Sequence, residues 1–509
     1  MFRIFHLLIL SLALTCFSSA ADKKEPSKSD NEETEVSKDE KESPSYEPEV
    51  SEGEARIGGS NVKYTTKTGM MPILDDDGEV KAEVFFVYYA AESKDSIARP
   101  VTFCFNGGPG SSAVWLHLGG LGPKRVDTLL DGRRPEAIAP IVDNADSILD
   151  ATDLVFIDPV QTGLSRAVED EEADQFHGVD EDIESVSEFI RQFCSQEERW
   201  ASPKFLCGES YGGIRAAGLS DHLQQKQGIY MNGILIVSGL LNYQTLMPHI
   251  GNDLPFILYL PAYTATAHYH KKLSPELQKD FDATMQQSRD FAFGDYALAL
   301  LKGTTLSDAE RTEIAQRLSE LTGIDADVID DHDLRIRRWL FRRMLLKEEG
   351  LILGGYDARV VGDDGVKTQS PPEFDPSASF VKGAVSAAIN HYVRTTLGYK
   401  SDHPYNVMAR LKWRFAPFTN RYVSMEERLA SAMKENPSMK LLIMVGLRDI
   451  VVSEDAMRYS IDHLPIPDSL RSNIKFVQYQ SGHMMYFEKE DAQKFRKDAI
   501  EFIKNCLPQ

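Results

Sequence analysis

Short apolar runs alternate with amphipathic helical patterns along most of this chain, and this alternation limits the fold more than any other feature. Strands buried on both faces of a parallel sheet appear in sequence as such continuous hydrophobic runs, with helices crossing over between them. The sequence therefore predicts an α/β fold with a mostly parallel central sheet. The predicted strands are residues 84–89, 101–105, 154–157, 204–207, 234–237, 440–445 and 474–479.

The alternation gives way to helical signals in the middle of the chain. Ser274 followed by Pro275 is typical of a helix start, and Ser307 with Glu310 forms a capping box. Strand signals return near residue 440. We therefore expect a sheet-containing core in two parts, residues 57–245 and 436–509, separated by a mostly helical lid insertion over residues 246–435.

The first 21 residues have the layout of a cleavable secretory signal, with Arg3 near the start, an apolar run over residues 7–17 and small residues up to Ala21. The run is shorter than the roughly 20 apolar residues that span a bilayer. We therefore expect cleavage, no stable membrane insertion afterwards, and a mature protein of the secretory pathway, periplasmic or extracellular.

Residues 22–56 contain thirteen acidic and six basic side chains and almost no apolar ones. Such a segment buries too little apolar surface to offset its ordering entropy. The composition predicts a disordered acidic leader.

The whole chain has 509 residues, 42% of them hydrophobic, and a formal net charge of −22. This composition is typical of a globular protein, and the negative charge disfavours binding to nucleic acid. Neither a disulfide framework nor the ligand spacing of a structural metal site is visible. We therefore expect no metal and no cofactor, and the sequence leaves the oligomeric state open.

A Gly-x-Ser-x-Gly pattern lies between a predicted strand and a predicted helix, with Ser210 at its centre. In this position a tight, strained turn exposes the hydroxyl while the flanking glycines let neighbouring backbone pass closely. An ordinary glycine turn is the alternative. The flanking strand and helix favour a nucleophile elbow at Ser210.

A serine nucleophile needs a base that is oriented by a carboxylate, and in this type of sheet the chain order is Ser, then Asp or Glu, then His. Asp449 follows the predicted strand at 440–445, and His483 follows the strand at 474–479. Either residue alone could be a helix cap or a turn residue. Together they predict a catalytic triad of Ser210, Asp449 and His483.

A glycine-rich segment runs from Asn106 to Ala113 directly after the strand at 101–105. It lacks the Gly-Lys-Ser/Thr ending of a phosphate-binding loop, and Pro109 removes an amide that a dinucleotide site would need. An oxyanion hole needs two backbone N–H donors, one of them from the residue after the nucleophile. Gly108 and Tyr211 are the candidates.

These motifs together resemble the successive signatures of the serine carboxypeptidase family, most closely its bacterial members. The resemblance extends from about residue 60 to the C-terminus and implies an α/β-hydrolase core that removes C-terminal amino acids from peptides. It implies that Ser210 is the nucleophile, His483 the base and then the acid, and Asp449 the residue that orients His483. The residues that carry it are Asn106 to Ser112, Trp115, His117, Gly122, Pro123, Phe156 to Pro159, Thr162, Gly163, Glu209 to Tyr211, Asp449, Gly482 and His483.

The resemblance also assigns Asn106 and Glu209 to the terminal carboxylate of the substrate. A carboxylic acid can bind a carboxylate only while the two share a proton, so Glu209 must be protonated when substrate binds. This chain departs from the family at two positions of that network: Cys104 stands where a tryptophan is frequent, and Gly120 where a second carboxylate is frequent. Exopeptidase specificity is therefore less firmly implied than hydrolysis.

Three functions follow as hypotheses: a secreted serine carboxypeptidase acting on peptides, an esterase or acyltransferase on the same fold, and a non-catalytic binding protein. The departures at Cys104 and Gly120 motivate the second, and the intact triad argues against the third. An arginine run around Trp339, from Arg335 to Arg343, is interpreted as a solvated helix face, with attraction of acidic peptides as the alternative.

Overall fold

The computed structural model of the chain describes residues 46–75, 77–128, 137–169, 171–365 and 368–507. The predicted signal peptide and residues 22–45 of the predicted leader lie outside the described residues. In the described part, the strands β1 to β14 are Glu49–Ile57, Ser60–Leu74, Val80–Ala91, Val101–Phe105, Lys124–Val126, Ile141–Asp143, Asp153–Ile157, Arg166–Ala167, Lys204–Glu209, Gly233–Val237, Ile352–Leu353, Val361–Gly362, Lys440–Gly446 and Ile474–Tyr479. The α-helices α1 to α14 are Val179–Gln196, Gly212–His222, Leu254–Tyr269, Pro275–Lys279, Phe281–Phe291, Ala297–Lys302, Asp308–Thr322, Ala326–Asp331, Arg338–Met344, Pro376–His391, Glu426–Glu435, Glu454–Asp462, Asp468–Arg471 and Lys489–Cys506.

Ten of the described strands form one sheet in the order β1-β2-β3-β7-β4-β9-β10-β13-β14, with the short β8 paired to β3. Strands β1, β2 and β3 are antiparallel, and β3 joins β7 antiparallel. From β7 to β14 every pair is parallel. The predicted α/β-hydrolase fold with a mostly parallel central sheet is confirmed.

The parallel strands β4, β7, β9, β10 and β13 are buried on both faces, which explains their continuous apolar sequences. The edge strand β14 is buried only at Val477 and Tyr479. In β4, Phe103 and Phe105 belong to one core cluster, whereas Cys104 between them belongs to the other. Side chains alternate in the same way along β13. The sheet therefore needs a layer of helices on each side.

Helices α1 and α2 cover one face, and α14 covers the other. Two helices from within the predicted insertion join them: α11 packs into the first cluster and α10 into the second. Helices α3 to α9 bury a third cluster among themselves and against Ile450 and Ala456. The insertion is thus tied to the core at several places, and its predicted boundaries stay a prediction.

The predicted end of the disordered leader is wrong, because β1 begins at Glu49 rather than after residue 56. The segment pairs along its whole length with β2 around a two-residue turn in which Gly58 and Gly59 have φ of 56° and 88°. Only Ala55 and Ile57 are buried in this strand. Backbone hydrogen bonding at a sheet edge therefore orders a stretch whose composition is typical of disorder.

No helix among the described residues is long and apolar enough to cross a membrane.

Candidate active site

Ser210 occupies a strained turn between the end of β9 and the start of α2. Its φ is 60°, which non-glycine residues rarely adopt. Its backbone N–H donates to the Val237 carbonyl at 3.0 Å, and its carbonyl accepts from Gly213 at 2.9 Å. A Cβ on Gly208 would overlap the backbone of Gly212, so this glycine is required for the turn. The geometry is that of a nucleophile elbow, as the sequence predicts.

Asp449 and His483 form a buried pair at the ends of two neighbouring strands, β13 and β14. His483 Nδ1 lies 2.6 Å from Asp449 Oδ2. Asp449 Oδ1 accepts hydrogen bonds from the backbone of Val451 and Val452 at 2.7 and 2.9 Å. The carboxylate is therefore fixed on both oxygens, and Nε2 is the ring nitrogen left to act on a substrate or nucleophile.

Burial and pairing act in opposite directions on these two groups. Burial raises the pKa of Asp449, while the neighbouring His483 lowers it by a smaller amount. For His483, burial disfavours the charged ring, but the Asp449 carboxylate outweighs burial and raises the pKa above its usual range. The imidazole can therefore accept a proton and hold it as a stabilised cation.

One cavity of about 210 Å³ is lined by five of the predicted site residues at the carboxyl ends of the parallel strands, while Tyr211 and Asp449 lie outside its lining. Ser210 and His483 both line it, with Asn106, Gly108 and Glu209. Asp449 lies directly behind His483. Further lining residues that the sequence did not single out as cavity residues are Tyr356, Ala378, Lys382, Met408, Val451 and Met484.

The glycine loop after β4 packs against the elbow. A Cβ on Gly107 would overlap the backbone nitrogen of Tyr211, and Gly108 has a φ of 103°. The backbone N–H groups of Gly108 and Tyr211 donate to no acceptor among the described residues. Two predicted oxyanion donors thus lie on adjoining backbone segments, while the Tyr211 side chain is buried against Trp413.

Asn106 and Glu209 are both buried and lie side by side at the cavity wall. Asn106 Oδ1 accepts from the Leu116 backbone N–H at 3.2 Å, and its side chain is close enough to Glu209 to lower the pKa of that carboxyl group. Burial raises the pKa of Glu209 to about 7, against smaller lowering effects from His483, Tyr486 and Asn106. A protonated carboxyl group is therefore available near neutral pH.

A buried ion pair supports this side of the cavity from below. Arg215 on α2 binds both oxygens of Asp182 on α1, at 2.8 and 3.0 Å. The same guanidinium donates to the Asn106 carbonyl at 2.5 Å and lies over the rings of Phe105 and Tyr211. The sequence pattern does not predict a buried role for Arg215, because a single arginine in a helix after the elbow is typical of a solvent-exposed cation.

A loop of the predicted insertion contacts the loops of Asp449 and His483 from the other side. The Tyr356 carbonyl accepts a hydrogen bond from the His483 backbone N–H at 2.6 Å. The Gly355 carbonyl accepts one from the Ile450 backbone N–H at 3.0 Å. Asp357 Oδ2 accepts the Gly482 N–H at 3.2 Å. Residues 355–357 therefore join the loop of Asp449 to the loop of His483 through two backbone carbonyls and one carboxylate.

The interpretation of the arginine run as a solvated helix face is wrong for two of its members. Arg343 is buried and paired with Asp364. Arg338 donates to the Val451 carbonyl at 2.9 Å. Long side chains can reach inward across an interface from positions that appear exposed in a helical pattern.

Trp115 and His117, two of the residues that carry the resemblance, have different environments in the structure. Trp115 lines the cavity and donates through Nε1 to Ser111 at 3.0 Å. His117 lies in the core, stacked on Phe156 and 2.7 Å from the Tyr89 hydroxyl, and burial lowers its pKa to about 3. No group of three or more His, Cys, Asp or Glu among the described residues could hold a metal ion.

Comparisons with known proteins identify the family and the fold of the chain. The family model described as serine carboxypeptidase matches residues 59–497. A solved structure of Kex1(delta)p, a prohormone-processing carboxypeptidase from Saccharomyces cerevisiae, shares 16% identity and a TM-score of 0.53, covering 87% of this chain and 91% of its own. Proline iminopeptidase from Mycobacterium smegmatis shares 13% identity and a TM-score of 0.38, covering 86% of this chain and 98% of its own.

Comparison with the curated proteins found no match. The family model covers most of the chain, and the Kex1(delta)p structure shares its fold. The resemblance read from the motifs is therefore confirmed. The chain belongs to the serine carboxypeptidase family and is a serine-type carboxypeptidase.

Proposed function

We propose that this protein is a secreted exopeptidase that releases C-terminal residues from peptides through an acyl-enzyme on Ser210. The observation that carries the proposal is the shared cavity: a strained serine, a histidine bound to a buried carboxylate, and a buried carboxyl group with a pKa of about 7 line or adjoin one space. Ser210, His483 and Asp449 together provide an activated nucleophile. Glu209 provides a partner for the terminal carboxylate of a substrate.

In the proposed mechanism, Ser210 Oγ attacks the scissile carbonyl while His483 Nε2 takes the hydroxyl proton. The imidazolium is stabilised by Asp449 and then gives its proton to the leaving amine, which departs as the C-terminal amino acid. Water repeats the sequence: His483 removes its proton, the hydroxide attacks the ester, and the proton returns to Ser210 Oγ. The shortened peptide leaves with a new carboxylate.

The negative charge that develops on the carbonyl oxygen needs donors already in place. The backbone N–H groups of Gly108 and Tyr211 are suited to this role, because they donate to no acceptor in the described part of the chain and lie on adjoining segments. Their preorganisation means that little rearrangement accompanies the attack.

Exopeptidase specificity requires recognition of a free C-terminus. Asn106 would donate an amide hydrogen bond to the substrate carboxylate, and protonated Glu209 would share its proton with the same group. The lowered exposure of both side chains strengthens these interactions, since water competes weakly there.

Location in the secretory pathway is proposed from the first 21 residues, with their short apolar run and small residues near position 20. Cleavage after Ala20 or Ala21 would give a mature enzyme in the periplasm or outside the cell.

Mass spectrometry of a peptide mixture tests the proposal directly. Wild-type protein should shorten peptides one residue at a time from their C-termini, whereas Ser210→Ala should leave them intact. Internal cleavage by the wild type, or equal shortening by the variant, would contradict it.

An esterase or acyltransferase remains the second candidate, because Gly120 offers no second carboxylate for a peptide terminus. Turnover of simple esters without turnover of any peptide would favour it.

A further inference from the structure

Tyr486 lies three residues after His483 and makes a direct hydrogen bond to Glu209. Its hydroxyl donates to Glu209 Oε2 at 2.7 Å, and both groups are buried. The Asn106 side chain lies beside both groups and lowers the pKa of each. Tyr486, Glu209 and Asn106 therefore form one polar cluster, with Tyr486 behind the residues that line the cavity.

The space for the Tyr486 ring exists because two consecutive residues lack side chains. A Cβ on Gly119 would lie 2.8 Å from the ring edge, and a Cβ on Gly120 would lie 3.1 Å from its Cγ. Both positions are otherwise fully buried. A side chain at position 120 and an aromatic ring at position 486 thus compete for the same volume.

We propose that the Tyr486 hydroxyl takes the place of the second carboxylate that is missing at Gly120 and positions Glu209 to bind the terminal carboxylate of the substrate. This inference rests on the proposed exopeptidase function. Tyr486 acts through Glu209 rather than on the substrate, so it is a positioning residue.

The chemistry of the contact explains how the positioning works. Because Tyr486 donates to Oε2, the other oxygen of Glu209 is left to carry the proton that is shared with the substrate. A second carboxyl group would have to share a proton with Glu209 to do the same. Burial raises the pKa of the Tyr486 hydroxyl well above its usual value, so it remains a donor throughout the working range.

A purely structural role for Tyr486 would have a different signature. Loss of a packing contact would lower stability and activity on every substrate alike. Loss of a positioned carboxyl group should affect only substrates with a free C-terminus, and should raise KM more than it lowers kcat.

The test compares a blocked dipeptide with its C-terminal amide, using Tyr486→Phe in the full-length protein. The change removes one oxygen and keeps the ring against Gly119 and Gly120. We expect KM for the free acid to rise about tenfold, the value typical of one hydrogen bond to a carboxyl group, with kcat unchanged. Kinetics on the amide should stay as in the wild type.

Tyr479→Phe is the matched control, because the Tyr479 hydroxyl also donates to a buried carboxylate, Asp498, at 3.0 Å. It should leave the preference for the acid over the amide unchanged. Melting temperatures of both variants show whether each is folded.

The outcomes separate the two levels of the argument. If the wild type hydrolyses acid and amide equally, the proposed exopeptidase function fails, and this inference fails with it. If the wild type prefers the acid and Tyr486→Phe keeps that preference, or loses activity equally on both substrates, the role of Tyr486 alone is contradicted.

Discussion

The two sides of the cavity are supported from different parts of the chain. The side that carries Ser210, Asn106 and Glu209 is supported within the first part of the core, by adjoining strands and by the Arg215–Asp182 pair. The side that carries Asp449 and His483 is held by residues 355–357 of the insertion. In the proposed mechanism, the predicted insertion therefore helps to place the acid and the base, besides any role in covering the cavity.

This difference predicts different consequences of damage. Changes on the serine side should affect folding of the core and binding of substrate, since the Arg215–Asp182 pair is buried between α1 and α2, which cover the main sheet. Changes in the insertion loop should affect mainly the alignment of acid and base. The predictions below test this contrast.

The largest effect is expected for Asp449→Asn, which keeps the shape of the side chain but favours the wrong tautomer of His483. We expect kcat to fall on the order of 10⁴-fold. Steady-state kinetics on a blocked dipeptide measure it. Asp498→Asn is the control, because Asp498 is also a buried carboxylate but is bonded to Tyr479 rather than to His483. It should leave kcat near the wild-type value.

Arg215→Met should destabilise the serine side strongly, because it leaves Asp182 buried without its partner. We expect the free energy of unfolding to fall by about 3–5 kcal/mol, measured by denaturant titration. Arg317→Met removes an exposed pair with Glu320 and should cost under about 1 kcal/mol. Equal losses in the two variants would contradict the supporting role of Arg215.

Binding of free C-termini should weaken as pH rises. Glu209 must carry a proton to bind a carboxylate, and its pKa is raised to about 7, so protonation is present below this pH and lost above it. KM for a free-acid dipeptide should be flat below pH 7 and rise up to about tenfold per pH unit above it.

KM for the corresponding amide should show no such rise, and Glu209→Gln should abolish it for the acid. A rise of the same size on both substrates would point to a group other than Glu209. Measurement of KM between pH 5 and pH 9 decides between these results.

Asp357→Asn tests the insertion loop. It weakens the hydrogen bond to Gly482 and the pairing with Arg359, and should reduce kcat about tenfold with little change in KM. Asp363→Asn is the control, since among the described residues this exposed carboxylate bonds only to the nearby backbone N–H of Gly365. A change confined to KM would contradict the alignment role.

The smallest effect concerns Lys382, an exposed residue of α10 that contributes a positive charge to the cavity lining. Lys382→Ala should reduce kcat/KM about threefold for dipeptides with an acidic side chain beside the cleaved bond, and leave neutral ones unchanged. Unchanged ratios would mean that the ammonium does not reach the substrate.

The parts predicted from sequence are those in which local pattern and tertiary environment agree. The strand at residues 101–105 matches β4 because it is buried on both faces, and the capping box at Ser307 and Glu310 starts α7. The edge strand β1 was missed because its pairing depends on backbone bonds that composition does not report.

Contacts between distant segments account for the rest. Tyr356 and Asp357 give no signal in sequence, because their importance depends on where the insertion docks. Tyr486 lies close to His483 in the chain, yet its partner Glu209 lies at the end of β9, and the space that the Tyr486 ring fills depends on Gly119 and Gly120.

Labelling with a phosphonylating reagent tests the central claim most directly, that Ser210, His483 and Asp449 act as one nucleophilic unit. Peptide mapping of the labelled wild type should place a single adduct on Ser210, and His483→Ala should slow labelling at least a hundredfold while remaining folded. An adduct at another residue, or labelling of Ser210 at the wild-type rate in His483→Ala, would contradict the account.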